Sequence, residues 1–298
     1  MGNEFQELLK PEILSNVKHL ELVAKVIVDG YLSGLNRSHR VGSGMEFSQY
    51  RSYEPGDDLR LLDWKMLARS SRYYIKQSEI DTNISVKFIL DASNSMQHKE
   101  NAITKIEFAR LLIASLGYLA QTQGDALGLF AVNEHQLYSL YPRVQKQHFN
   151  RFLHQLIAIQ PEGRWPKAAT ETATLHDRRH RELIIIVSDM YQEESELLDF
   201  VISQKTMRNE VILLRVMGGE ETDMSYSGTV TLEDLESGNR VKIDSNAVRE
   251  MYKENLATAN ESINASLTEA GIGYEVFRMD KPIHEALNLF FKKRKNLL

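Results

Sequence analysis

Asp91, Ser93 and Ser95 stand at alternate positions in the stretch DASNS, directly after the apolar run Ile84 to Leu90. A carboxylate and two hydroxyls so spaced are hard oxygen donors. Such donors suit Mg²⁺ or Mn²⁺; Mg²⁺ in particular takes one or two carboxylates, keeps waters and leaves room for an oxygen from a partner. A second carboxylate, Asp189, follows Ser188 at the end of another apolar run, Leu183 to Val187. Both runs have the length and β-branched composition of strands buried on both faces. Small polar residues do not continue a core strand, so the chain leaves the sheet at both points. In an open α/β sheet, ligands bind in the crevice outside the carboxyl ends of the strands. Two carboxylates that end two separate strands therefore converge on one crevice.

The elements that position these residues alternate along the chain. Pro11 to Leu35 carries apolar residues at three- and four-residue spacing and reads as a helix, with Pro11 in its first turn and Gly30 and Gly34 where it frays or stops. Thr104 and Glu107 form the signature of a capping box ahead of a helix that runs to about Gln121. Gly124-Asp125 turns the chain into a strand from Ala126 to Val132, and Gln136 to Tyr141 alternates as an antiparallel edge strand should. Gln145 to Ile159 is an amphipathic helix, Glu194 to Gln204 another helix, and Val211 to Val216 a strand. Thr229 to Ile243 is an excursion with a hairpin turn at Glu236-Ser237-Gly238-Asn239. Ser245 is placed to cap a long helix to about Ala270, and a strand from Tyr274 to Arg278 and a helix from Lys281 to Lys292 close the chain. Strand–helix–strand units of this kind predict an α/β fold with a doubly wound, mostly parallel sheet flanked by helices.

Ahead of the first of these strands lies the densest run of unusual residues, from Glu46 to Lys76. Pro55-Gly56 makes a turn, and Asp57 or Asp58 can cap a helix carrying Arg60, Asp63, Trp64 and Arg69. Carboxylates beside Arg51, Arg60 and Arg69 invite a reading as an acid-catalytic or phosphate site. The alternative is a structural network of bidentate Arg–Asp pairs. No Ser-His or Cys-His pair stands nearby, and arginine does not act as a base at ordinary pH.

The order Glu46-Phe47, Arg51-x-Tyr53, Pro55-Gly56-Asp57-Asp58, Arg60, Asp63-Trp64, Ala68-Arg69, Tyr74-x-Lys76 and Glu79, followed by the strand and Asp91-x-Ser93-x-Ser95, resembles the bacterial family known as domain of unknown function 58. Asp-x-Ser-x-Ser after such a strand resembles the metal-ion-dependent adhesion site of von Willebrand factor type A domains. The resemblance implies a signature segment with an N-terminal helix over residues 1–82, packed on a von Willebrand A-like domain over residues 83–298. It implies Mg²⁺ or Mn²⁺ held by Asp91, Ser93 and Ser95, with Asp189 reaching in from the neighbouring strand. A loop threonine completes the hydroxyl set of such sites, and here either Thr170 or Thr172 stands in that loop, with Gly163 well upstream. It also implies a non-enzymatic adaptor that takes a carboxylate from a protein partner, the partner being a MoxR-type AAA+ ATPase or its client.

The residues bear on two other functions. Asp91 ends a strand as the nucleophile of a Mg²⁺-dependent phosphohydrolase would, but the acid expected two residues on is replaced by Ser93, leaving nothing in the loop to protonate a leaving group. Nucleic-acid binding would use Arg37, Arg40, Arg69, Arg72 and the cluster Arg178 to Arg181. A net charge of −5 and the lack of basic–aromatic interleaving argue against it. His176 and His180, four apart, lack an HExxH arrangement and read as part of a solvated helix end. The glycines Gly42 and Gly44 precede no Lys-Ser/Thr pair and so are not a phosphate loop. The absence of cysteine excludes disulfides and thiolate chemistry and fits a reducing compartment. The longest nearly apolar run, Leu111 to Ala120, is half of the roughly 20 residues a membrane span requires. With no apolar signal core at the N-terminus, these features place the protein in the cytoplasm.

Overall fold

Asn16 opens helix α1 (Val17–Ser38): its Oδ1 accepts the amides of Lys18 and His19 at 3.0 and 3.4 Å. Leu20, Val23, Ala24 and Val28 form the buried stripe of α1, while Leu22 and Val26 face outward. The helix does not stop at Gly30 or Gly34 but runs through both. Glycine in a helix interior costs only about 0.5–1 kcal/mol. One residue beyond Gly30, Tyr31 hydrogen-bonds Asn288 and stacks on Phe291 with ring centroids 6.2 Å apart, which holds the helix in register. This computed structural model describes residues 14–38, 50–52, 67, 69, 73–76, 84–100, 102–166, 181–191, 195–281 and 283–297. The chain forms two units, one of Met1–Tyr31 with Asn83–Leu298 and one of Leu32–Thr82. In the smaller unit, β1 (Tyr50–Ser52) and β2 (Tyr74–Lys76) pair antiparallel, Arg51 opposite Ile75.

The larger unit is built on the apolar runs. They form β3 (Ser85–Asp91), followed by the short pair β4 (Lys99–Glu100) and β5 (Ile103–Thr104), then α2 (Lys105–Thr122), β6 (Ala126–Val132) and β7 (Leu137–Arg143). After α3 (Lys146–Ala158) come β8 (Glu182–Ser188), α4 (Glu196–Ser203), β9 (Asn209–Met217) and the short α5 (Gly219–Asp223). A hairpin of β10 (Thr229–Glu233) and β11 (Arg240–Asp244), then α6 (Ser245–Glu269), β12 (Gly273–Arg278) and α7 (His284–Leu297) complete it. Six strands form one sheet in the order β12-β9-β8-β3-β6-β7, all parallel except the edge strand β7. Taken in chain order within the sheet this is 3-2-1-4-5-6 from the β7 edge, the doubly wound pattern. Its strand order reverses between β3 and β8, which pair from Ser85↔Glu182 to Leu90↔Val187.

Successive residues of β3 serve opposite faces, as the pleat requires. Phe88 meets Phe152 of α3 edge-on at 5.6 Å, on the side where α2 lies. Ile89 joins Ile184, Ile186 and Leu213 under Leu197, Phe200, Leu267 and Ile272. Because both faces are covered, every residue of β3 and β8 is buried. One charged pair lies inside this sheet: Lys87 and Glu182, on adjacent strands and hydrogen-bonded to each other. At the β7 edge the register slips between Leu127 and Leu129, where Gly128 lies against Pro142. A Cβ at Gly128 would lie 2.8 Å from Pro142 Cγ, so only glycine fits. The long helix α6 is capped by Asp244, whose side chain accepts the Asn246 amide, while Ser245 turns its hydroxyl to the Tyr226 and Gly228 carbonyls.

Candidate metal centre at the carboxyl ends of β3 and β8

The sheet reverses its strand order where Asp91 and Asp189 end their strands, and the structure brings the two together with both serines. Asp91 Oδ1 accepts the Ser93 amide at 3.0 Å and Oδ2 accepts the Ser188 hydroxyl at 2.6 Å. The chain then enters a 3₁₀ turn, Asn94–Gln97, which places Ser93 Oγ and Ser95 Oγ 3.0 Å apart. Ser95 donates to Asp189 Oδ1 at 3.0 Å. The loop after α3 supports this turn from outside: Asn94 donates its amide to the Gly163 carbonyl and Glu162 donates its own to Ala92, both at 2.9 Å. On the β8 side, Met190 holds a left-handed φ of 55° and donates its amide to Ser188 Oγ, and the Tyr191 amide reaches Asp189 Oδ1 at 3.2 Å. Asp91, Ser93, Ser95, Ser188 and Asp189 are all buried.

Three residues enter this site that spacing along the chain did not reveal. Lys105, the first residue of α2, is buried and places Nζ 2.9 Å from Asp189 Oδ2 and 3.0 Å from a Glu221 carboxylate oxygen. The capping box of Thr104 and Glu107, present as read from the sequence, fixes where the helix starts and so where that ammonium lies. Burial works against the Lys105 ammonium, but Asp189 and Glu221 overcome it and hold its pKa above the ordinary lysine value. Arg215 holds the backbone of the same residue, donating Nε to the Asp189 main-chain carbonyl at 2.9 Å and a second nitrogen to Asn260 Oδ1. The third is Glu236, from the tip of the β10–β11 hairpin.

Charge is unevenly balanced here. Lys105 serves Asp189, but among the described residues no cation pairs with Asp91. Burial, and then the charge of Asp189, push the Asp91 carboxyl up to about 6, against the hydrogen bonds of Ser188 and Ser93. Glu236 is pushed up to about 7 by burial and by Asp91, Asp189 and Asp234, with the Ser93 side chain hydrogen-bonding against that rise. One Glu236 carboxylate oxygen, Oε1, is buried and has no hydrogen-bond partner among the described residues. Carboxylates crowded in this way are stabilised by a cation.

The donor set fits a small divalent ion. Neighbouring ligands on an octahedron with bonds of about 2.1 Å lie roughly 3.0 Å apart, and the Ser93–Ser95 oxygen separation is 3.0 Å. Asp91, Ser93 and Ser95 offer one carboxylate and two hydroxyls, and Glu236 brings the unsatisfied oxygen. Among the described residues no three His, Cys, Asp or Glu side chains form a metal cluster of their own, so any ion here relies on the hydroxyls. Thr170 and Thr172 lie outside the described residues, as do His176 and His180. Of the signature residues, Arg51 lies on β1, Lys76 on β2 and Arg69 in helical backbone; Tyr53, Gly56, Asp57, Asp58, Arg60, Asp63 and Trp64 fall outside the described residues. Among the described residues no helix is long and apolar enough to cross a membrane.

Several known proteins are similar to parts of this chain. Uncharacterized proteins of Mycobacterium tuberculosis (Rv1480) and Mycobacterium bovis (Mb1516) are each 27% identical over 232 residues, covering 76% of this chain and 72% of theirs. Among solved structures, the hypothetical protein BatB of Bacteroides thetaiotaomicron matches with a TM-score of 0.46 at 17% identity, over 70% of this chain and 100% of that one. An aerotolerance-related membrane protein of Bacteroides fragilis gives 0.48 at 16% identity, over 72% and 100%. The SpRpn10 VWA domain gives 0.40 at 12% identity, over 69% and 95%. The profile of the family described as protein of unknown function DUF58 matches residues 49–262. That match spans well over half of the chain, which therefore belongs to the DUF58 family.

Proposed function

We propose that this protein is a metal-dependent protein-interaction module of the cytoplasm, in which Asp91, Ser93 and Ser95 hold Mg²⁺ or Mn²⁺ with help from Asp189. The observation that carries this reading is the meeting of two buried carboxylates and two paired hydroxyls at the point where the sheet reverses its strand order. A bound ion supplies one strong, direction-dependent contact for an oxygen from outside, and a partner carboxylate is the ligand that matches it. Asp91 and the serines orient that contact. Lys105 and Arg215 hold Asp189 in place. The partner is a MoxR-type AAA+ ATPase or its client, on the strength of the family resemblance. No hydrolytic step is assigned to the site.

Calorimetric titration of Mg²⁺ and Mn²⁺ into the wild type and into the Ser93→Ala/Ser95→Ala variant tests the reading. Binding by the wild type that disappears in the variant is expected, and capture of a MoxR-type partner should then be lost in EDTA. Partner capture that ignores both EDTA and the serine substitutions would refute it and turn attention to the Glu46–Lys76 segment.

A further inference from the structure

We infer that Glu236 is a ligand of this site supplied in cis: the hairpin tip delivers a carboxylate to the position that an acidic side chain of a partner must take. The inference rests on the metal reading above and adds to it the class of group recognised, a glutamate or aspartate presented on a tight turn, and the step that precedes recognition.

The hairpin is built to hold one side chain at the site while staying separable from it. Among the described residues β10 and β11 pair only with each other, from Thr229↔Asp244 to Glu233↔Arg240, and most of their residues are exposed. The base is anchored, because Ser245 binds the Tyr226 and Gly228 carbonyls. Gly228, part of that anchor, has a φ of 71°, the backbone conformation that glycine adopts at no steric cost. At the tip, Asp234 shapes the turn. Its backbone exchanges hydrogen bonds with Asn239 and Gly238 at 2.9 and 2.8 Å, and its Oδ1 accepts the Glu236 amide at 2.8 Å. Arg164, from the loop that also supports Asn94, reaches the Glu236 carbonyl through two long contacts of 3.4 Å. The tip is thus aimed firmly and held lightly.

The contrast between neighbours at that tip decides the matter. Leu235 is 40% exposed, while the next residue, Glu236, carries a carboxylate oxygen shut off from solvent and, among the described residues, without a hydrogen-bond partner. A turn that merely packed on the domain would bury the leucine and leave the carboxylate in water. Instead the orphaned oxygen is held at a tip that Arg164 joins to the loop supporting Asn94, with the like charges of Asp91 and Asp189 as neighbours whose repulsion it meets. A divalent ion at Asp91 converts that repulsion into attraction and gives the orphaned oxygen its partner.

The test uses Mn²⁺ as the probe, with the full-length wild type, Glu236→Gln and, as a control on the same hairpin, Glu233→Gln. Electron paramagnetic resonance gives the affinity, and water-proton relaxation per bound Mn²⁺ reports how many positions water occupies. Loss of the Glu236 carboxylate should weaken Mn²⁺ binding about tenfold, the scale on which supporting groups act, and raise the relaxation as water enters. Added acetate should lower the relaxation again in Glu236→Gln but not in the wild type, and Glu233→Gln should match the wild type throughout. Equal affinity and relaxation in wild type and Glu236→Gln would overturn the inference while leaving the metal reading in place. A wild type that binds no Mn²⁺ overturns both. If Glu236→Gln fails to melt cooperatively, the acetate titration of the wild type still decides: unchanged relaxation supports a filled position and falling relaxation refutes it.

Discussion

Replacing Lys105 with methionine removes the cation that faces Asp189 but keeps the length and bulk of the side chain. The ammonium lies 2.9 Å from Asp189 Oδ2 and 3.0 Å from Glu221, with side chains 3% and 1% exposed for Lys105 and Asp189. The substitution leaves a buried carboxylate facing Asp91 with the Ser95 hydroxyl and the Tyr191 amide on one oxygen but no ammonium on the other. Breaking a buried pair from one side costs about 3–5 kcal/mol. Glu221 is more exposed, at 21%, and contributes little to that figure. For a domain of this size each kcal/mol moves Tm by about 2–4 °C, so thermal unfolding without divalent ions should fall by roughly 6–20 °C. If Mg²⁺ binds as proposed, it neutralises part of the stranded charge and should raise the Tm of Lys105→Met by more than it raises that of the wild type. A ligand at 100 times its Kd contributes about 2.7 kcal/mol. Differential scanning calorimetry in EDTA and in excess Mg²⁺ measures both quantities. A Tm unchanged in EDTA would refute the argument, because it would mean that Asp189 does not depend on this ammonium. A fall in Tm with no differential response to Mg²⁺ would keep Lys105 as a structural residue and remove it from the metal site.

The other expected outcomes concern the core. Lys87→Met should destabilise the protein by about 3–5 kcal/mol in chemical denaturation, and the double variant Lys87→Met/Glu182→Met should regain much of that loss; a double variant no better than the single one would show that the pair is not coupled. His148, buried with Nε2 2.8 Å from the Leu127 carbonyl, has its pKa lowered below 6.5, by burial first and then by Arg143 and Arg151. The unfolded chain therefore takes up this proton before the folded one, so His148 draws stability down as pH falls below about 6.5. The imidazole should titrate below that value by NMR, and a midpoint above it would contradict the assignment.

The parts of the site that could be read from the sequence share one property: each stands where a strongly patterned element ends. Asp91 and Asp189 are conspicuous because small polar residues close two apolar runs, and Thr104 because Glu107 follows at the spacing of a cap. The sheet follows from the same contrast, down to the antiparallel edge strand from Leu137. Lys105 and Glu236 carry no such local mark. Lys105 is one charge at the start of a helix, with partners 84 and 116 residues away. Glu236 belongs to a turn whose sequence tells where the chain reverses but not which side chain points inward. Lys87 sits inside an apolar run, and its partner is 95 residues away on the adjacent strand. Such pairings are set by tertiary neighbours and leave little trace in local spacing. Helix α1 illustrates the converse, since Gly30 and Gly34 read as stops while packing of Tyr31 carries the helix past them.

The join between Gly128 and Pro142 has a consequence for how this molecule meets others. A free antiparallel edge such as β7 offers a row of amides and carbonyls on which a second chain can grow a sheet, the route to unintended polymers. In β7 that row is interrupted: Pro142 has no N–H to donate, and the register slip opposite it breaks the spacing a new strand would need. The flank of the sheet is thus a poor template for strand addition, even with Tyr141 exposed beside the break. Backbone pairing, which accepts almost any extended sequence, is disfavoured at this edge, and under the proposed function partners would be met at the strand ends, where geometry and charge discriminate between them.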